Sequence, residues 1–183
     1  MNVSNSMQYR YRLAPLAVVL LAFVLTGCAS FYQDDFDTLE NVQAAESTKI
    51  PLTQAVSIAE QTAKGTPIEI RIRTRPAGPY YMVKLIEGDA TNYVALDARS
   101  GSILDVDRDR HLARWLKRRN RSARLQIQYA DLSLSDAITK AELIAKGRAI
   151  EMSVDNERYP QFYEIKSIRN GKFSTTKLDF DTK

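Results

Sequence analysis

The chain repeats itself at an offset of 82 residues, and no other feature constrains its fold as tightly. Leu52, Ala55, Val56, Ala59, Glu60, Ala63, Lys64, Gly65, Ile68 and Glu69 overlie Leu134, Ala137, Ile138, Ala141, Glu142, Ala145, Lys146, Gly147, Ile150 and Glu151. The register continues without a gap: Tyr81 meets Tyr163, Val83 meets Ile165, Lys84 meets Lys166, and Leu96-Asp97 meets Leu178-Asp179. Two unrelated amphipathic helices would not keep the later tyrosine, lysine and aspartate in step.

Each unit opens with a helix. Leu52, Ala55, Val56, Ala59 and Ala63 fall at i, i+3, i+4, i+7 and i+11, a single apolar stripe, and Leu134, Ala137, Ile138, Ala141 and Ala145 repeat it. Small residues on that stripe let a sheet come close. Ser133 is placed to cap the second helix, with Asp136 three residues on; Pro51 holds the matching place in the first. Gly65 and Gly147 follow a lysine and read as helix-stopping C′ residues.

Strands follow. Ile68, Ile70 and Ile72 alternate with Glu69, Arg71 and Arg73, which predicts a half-buried strand with all three isoleucines on one face; Ile150, Met152 and Val154 repeat the pattern. Tyr81 to Leu85 and Tyr93 to Asp97 flank a turn at Glu87-Gly88-Asp89, and Asn170-Gly171 marks a two-residue hairpin at the corresponding place. A turn at Ala98 to Gly101 leads into a short last strand, Ser102 to Val106.

This succession is similar to the PepSY domain family. The residues that carry the resemblance are Ala55, Ala59, Ala63, Gly65, Ile68-Glu69, Tyr81-Met82-Val83 and the run Leu96-Asp97-Ala98-Arg99-Ser100-Gly101-Ser102-Ile103-Leu104. The match spans about residues 50 to 106 and, more weakly, 132 to 183. The expected fold class is therefore α+β: two tandem helix-on-antiparallel-sheet (PepSY-like) units, residues 50–107 and 131–183, joined by a basic helical connector with a strand, residues 108–130. In the second unit Asp179-Phe180-Asp181-Thr182-Lys183 stands where Gly101 would fall, so its last strand is missing. Leu125, Ile127 and Tyr129 alternate with Gln126 and Gln128 and are expected to supply that strand. The resemblance implies a non-catalytic role in inhibiting or regulating peptidases, as for the domains found in propeptides of secreted metalloproteases.

The N-terminus reads as an address. Met1 to Arg12 is polar with Arg10 and Arg12 and no acid, and Leu13 to Leu25 is almost wholly apolar, a positive region followed by a core of signal-peptide length. It is short for a membrane span, which takes about 20 apolar residues. Leu25-Thr26-Gly27-Cys28 resembles the lipobox of bacterial lipoproteins. That implies a signal peptide over residues 1–27, acylation of Cys28 and attachment to a lipid bilayer, and Ala29 at the next position resembles the pattern for the outer membrane, facing the periplasm. Residues 28–49 read as an acidic tether carrying Asp34, Asp35, Asp37, Glu40 and Glu46, with a short helix expected near Asp37 to Ala45.

Between the units lies a basic run, Arg108 to Arg124, with eight Lys/Arg and one acid. Leu112, Trp115 and Leu116 share a helical face. One reading is a basic amphipathic helix that touches anionic lipid or an acidic partner through Arg114, Trp115, Lys117, Arg118 and Arg119. The plainer reading, preferred because only three apolar residues make the stripe, docks Trp115 and Leu116 onto the units and leaves the charges in water.

A single cysteine excludes an internal disulfide, and a single histidine excludes a multi-histidine metal site and removes the usual base for a nucleophile. His111 reads as a surface residue. The recurring Glu60/Glu142 and Glu69/Glu151 read as solvated or structural. Asp105, Asp107 and Asp109 lack the rest of a calcium loop, and Tyr81 and Tyr163 read as packing between helix and sheet. The sequence thus calls for no catalytic residues, no cofactor, no metal, no nucleic acid and no small-molecule substrate. The resemblances to the lipobox and to the PepSY family imply a membrane-anchored periplasmic binding protein that regulates an envelope protease or another secreted protein. A structural or assembly lipoprotein of the envelope is the alternative.

Overall fold

Both alanine stripes form helices on one face of a single antiparallel sheet. The computed structural model describes residues 39–111, 113–155 and 162–181. Helix α1 (Leu39–Ser47) leads into α2 (Leu52–Thr62) and strands β1 (Thr66–Arg73), β2 (Tyr80–Glu87), β3 (Ala90–Asp97) and β4 (Ile103–Asp109). Helix α3 (Arg114–Tyr129) connects these to α4 (Leu134–Ala145), β5 (Arg148–Asp155), β6 (Phe162–Arg169) and β7 (Lys172–Asp179). The strands run β4-β3-β2-β1-β5-β6-β7 across seven positions. The two halves meet where β1 pairs antiparallel with β5, Glu69 opposite Ser153 and Ile70 opposite Met152.

The offset of 82 recurs in the contacts themselves. The ladder between β1 and β2 shifts between Pro67 and Glu69, and that between β5 and β6 shifts between Ala149 and Glu151. Glu69 pairs with Lys84 at 3.9 Å, and Glu151 with Lys166 at 3.7 Å. The Ile50 N–H donates to the Ala98 carbonyl, and the Leu132 N–H to that of Phe180. Tyr81 and Tyr163 are fully buried between helix and sheet, as expected. The Tyr163 hydroxyl donates to the Leu132 carbonyl, its ring meets Phe180 edge-on at 4.5 Å, and burial pushes its pKa up to about 12.

The local signals explain most element boundaries. Ser133 Oγ accepts from the Asp136 N–H and its hydroxyl donates to the Asp136 carboxylate, so the expected cap of α4 is made. Asn170 and Gly171 have φ of 50° and 70°, the left-handed pair a two-residue hairpin needs. The two helix-terminal glycines work differently from the C′ expectation. The left-handed residue after α4 is Lys146, φ 49°, and not Gly147. What Gly147 supplies is space: a Cβ there would lie 2.7 Å from the Ile168 carbonyl oxygen. A Cβ on Gly65, at the same offset, would lie 2.9 Å from the Ile86 carbonyl. Both glycines let the chain leaving a helix cross the second strand of its hairpin.

Three other expectations are corrected. Ile68 does not share a face with Ile70 and Ile72: the bulge between Pro67 and Glu69 turns it to the opposite side, against Ile86 and Ala123. Residues 125–129 form no strand. Nothing in Arg114 to Tyr129 breaks a helix, and Asn120, Ala123 and Ile127 at i, i+3 and i+7 form its docking side, so α3 runs on to Tyr129. Three alternating apolar residues fit either period. The acidic segment before the first repeat is part of the body from residue 39: α1 confirms the short helix, and Ala44 and Ala45 are buried in the core. The Arg148 guanidinium, from the other half, donates to the Ala45 and Thr48 carbonyls at its end.

The seam between halves holds a buried charge. Glu151 Oε1 accepts the Ile72 N–H at 3.1 Å, beyond the two paired positions of β1 and β5. Burial pushes its carboxyl from the usual 4.5 up to about 7, although Lys166, the Ile72 N–H, Arg71 and Arg73 all favour the charged form. A carboxyl whose pKa is raised in the folded state contributes most stability below pH 4.5, and that contribution is lost as pH rises through about 7. Glu151→Gln keeps an acceptor for Ile72 and removes the titration. The stability of this variant relative to the wild type is therefore expected to rise between pH 5 and pH 8, read as the difference in thermal midpoint; parallel pH profiles would refute the assignment. Gly147→Ala, in which the new methyl group meets a backbone carbonyl, is expected to cost about 1–3 kcal/mol in urea unfolding.

Candidate functional site

The sheet has two unlike faces. One carries Tyr81, Val83, Leu85, Val94, Leu96, Ile165 and Leu178 under α1, α2 and α4. The other carries Glu69, Arg71, Lys84, Tyr93, Glu151 and Lys166, and α3 covers only the part over β1 and β2. Burial pushes the Lys84 ammonium down against the pull of Glu69, and Arg119 and Arg71 add to the downward shift.

Packing, a buried hydrogen bond and an ion pair set helix α3 on this face. Ala123 packs into Ile68 and Ile86. The buried Asn120 donates to the Thr91 hydroxyl at 3.2 Å. Arg121 pairs with Asp89 in the β2–β3 turn, and that hydrogen bond holds the Asp89 carboxyl below its ordinary value. With Asn120, Ala123 and Ile127 turned to the sheet, rotation by about 100° per residue fixes the rest. Arg114, Lys117, Arg118 and Arg121 fall at i, i+3, i+4 and i+7 on the side away from Ala123 and, with Asp89, line an open pocket of about 410 Å³. Trp115 is 66% exposed, with the Arg119 guanidinium 5.8 Å from its ring centre.

All five connector residues singled out in the sequence are thus on α3, but the docking expected of Trp115 is not seen: the indole faces water, and Asn120, Ala123 and Ile127 do the docking. Arg121 was missed; its signal was the i+7 continuation of the cationic stripe. Cys28, the expected acylation site, lies outside the described residues, as do the signal peptide and the first part of the tether.

The remaining candidates resolve into structure. Asp97 Oδ1 accepts the Ser100 and Arg99 N–H groups at 2.9 and 3.0 Å, which lowers its pKa and builds the turn to β4, where Gly101 has φ of 76°. The conspicuous Leu-Asp-Ala-x-x-Gly run is therefore a turn device. Glu142 accepts the Ala149 N–H at 2.9 Å and ties α4 to β5; Glu60 makes no such bond, and partial burial raises its pKa. His111 is exposed. Among the described residues no group of three or more His, Cys, Asp or Glu is placed to hold a metal, and no helix is long and apolar enough to cross a membrane.

A second surface feature lies on the helical side. Leu143 and Ile144 of α4 are 74% and 57% exposed, beside an open pocket of about 440 Å³ lined by Thr139, Glu142, Lys146 and Arg148 among others. Their partners at the offset of 82 are Gln61 and Thr62, so the fold does not require apolar residues there. That mismatch between repeats was the signal that could have found them.

No curated protein matches the chain. It is similar to a crystal structure of a "putative lipoprotein" from Clostridium difficile 630, with 18% identity and a TM-score of 0.46, covering 73% of this chain and 88% of that one. Residues 49–107 match the family model for the peptidase propeptide and YPEB domain, PepSY. The matched segment takes in α2, β1, β2, β3 and most of β4.

Proposed function

We propose that the protein is a lipid-anchored binding module of the periplasm that regulates or inhibits an envelope peptidase. The observation that carries this reading is the PepSY match over residues 49–107. The second half extends the same architecture by the offset of 82, and we read it as a degenerate copy of the same domain. The anchor is acylated Cys28, in the outer membrane by its Ala29 neighbour. Regulation proceeds by occlusion, without catalysis: the partner is held against a sheet edge or an exposed helix face. Two places offer apolar contact of that kind, Ile103 and Val106 on the edge strand β4 and Leu143 with Ile144 on α4. An edge strand presents unpaired backbone groups to which an extended segment of a partner can pair.

Two measurements test this. Cys28→Ala is expected to move the protein from the membrane fraction to the soluble one; an unchanged distribution would remove the anchor. Photo-crosslinkers at Val106 and Leu143, placed in the protein in its own cells, are expected to trap a peptidase or its precursor. Adducts confined to envelope-assembly proteins would replace regulation with the structural role.

A further inference from the structure

The residues of α3 that face away from the sheet form a surface the fold itself does not use. The helix carries six Lys/Arg and no Asp or Glu. Four of the cations repeat at i, i+3, i+4 and i+7, a spacing at which like charges repel. They crowd the N-terminal half, where the helix dipole also disfavours cations, and the N-cap, Ala113, makes no side-chain hydrogen bond. Among the described residues Asp89 relieves Arg121 directly and acts on Lys117 through space. Among the described residues Arg114, Lys117 and Arg118 form no ion pair. Exposed apolar groups accompany this charge: Trp115 in the first turn, then Leu125 and Tyr129, the last 78% exposed. Leu125 and Tyr129 follow Arg121 at i+4 steps along the outer side of the helix.

We infer that this outer face of α3 lies on an anionic phospholipid surface. A folded acidic partner would have to offer carboxylates at fixed places opposite each cation. A layer of phosphate headgroups meets all of them at once, and the amphipathic rings of Trp115 and Tyr129, near opposite ends of the helix, suit the headgroup boundary. The 16-residue helix is held to the sheet on its other side, so it lies along such a surface. The sheet then stands between the bilayer and the opposite, helical side, which leaves Leu143 and Ile144 open to a soluble partner. The inference stands on the residues of α3 and needs neither the acylated Cys28 nor the peptidase.

Trp115 is the protein's single tryptophan, so its emission reports this face alone, whatever else holds the chain to a vesicle. The full-length protein is mixed with vesicles of phosphatidylcholine, with or without phosphatidylglycerol. With phosphatidylglycerol the emission is expected to shift to the blue, to be quenched by bromine on the lipid chains, and to recover at high salt. A cation near an anionic bilayer raises partitioning roughly fivefold. The triple variant Arg114→Gln, Lys117→Gln, Arg118→Gln is then expected to weaken the response on the order of a hundredfold, with unchanged circular dichroism. Vesicle-bound protein whose Trp115 stays in water would overturn the inference, as would no binding at all. A blue shift with polyglutamate and none with vesicles would also overturn it, in favour of an acidic protein partner. Photo-crosslinking from Val106 and Leu143 is unaffected by any of these outcomes, so the regulatory reading and this one fail separately.

Discussion

The antiparallel pairing of β1 with β5 is the constraint on which the rest depends. Two short meanders, each with a single helix, would leave their first strands as open edges and split the core in two. Joining those strands gives one sheet of seven and one continuous apolar layer that includes Leu52, Ile70, Tyr81, Ile138, Met152 and Tyr163. The seam is short, with two paired positions, and the Glu151 carboxylate stands in for a missing backbone acceptor at Ile72. A charge that burial makes costly is thus placed where the two halves are stitched together.

The unlike faces of the sheet follow from this joining. The alanine stripes of α2 and α4 need close approach, and both helices find it on one side, with Gly65 and Gly147 admitting the crossing of a backbone. The other side is left with ion pairs, Glu69 with Lys84 and Glu151 with Lys166, and with one helix. That helix is held by small and polar contacts at Asn120 and Ala123, so its larger apolar residues are free to face outward. The charged face with α3 and the helical face with Leu143 and Ile144 are thus two distinct surfaces on opposite sides of one sheet.

The candidate contacts were legible to different degrees. Four of the five connector residues were found from charge density and Trp115 from its spacing with Leu112 and Leu116, neither of which needs tertiary information. Their orientation was not, because the stripe Leu112, Trp115 and Leu116 and the stripe Asn120, Ala123 and Ile127 both fit a helix, and apolar bulk pointed to the first. The sheet selects the second, where Ala123 and Ile127 pack on Ile68 and Ile86 and Asn120 bonds to Thr91. The bulge that turns Ile68 toward α3 was invisible for a related reason: a one-residue shift leaves the Ile-x-Ile-x-Ile pattern intact and changes only which face it serves.

By itself the sequence determined the helices α2 and α4, the hairpins at Gly88 and Asn170-Gly171, the cap at Ser133, the burial of Tyr81 and Tyr163 and the repeat that relates the halves. These rest on local sterics, short-range hydrogen bonds and hydrophobic periodicity, all carried by neighbours in the chain. Only the tertiary structure decided that β1 and β5 pair, that α3 runs on to Tyr129, that Glu151 is buried at the seam and that Trp115 faces water. Each of those depends on which of several acceptable surfaces is nearest in space, and residues far apart in the chain, from 29 positions at Asn120 and Thr91 to 79 at Ile72 and Glu151, settle that choice.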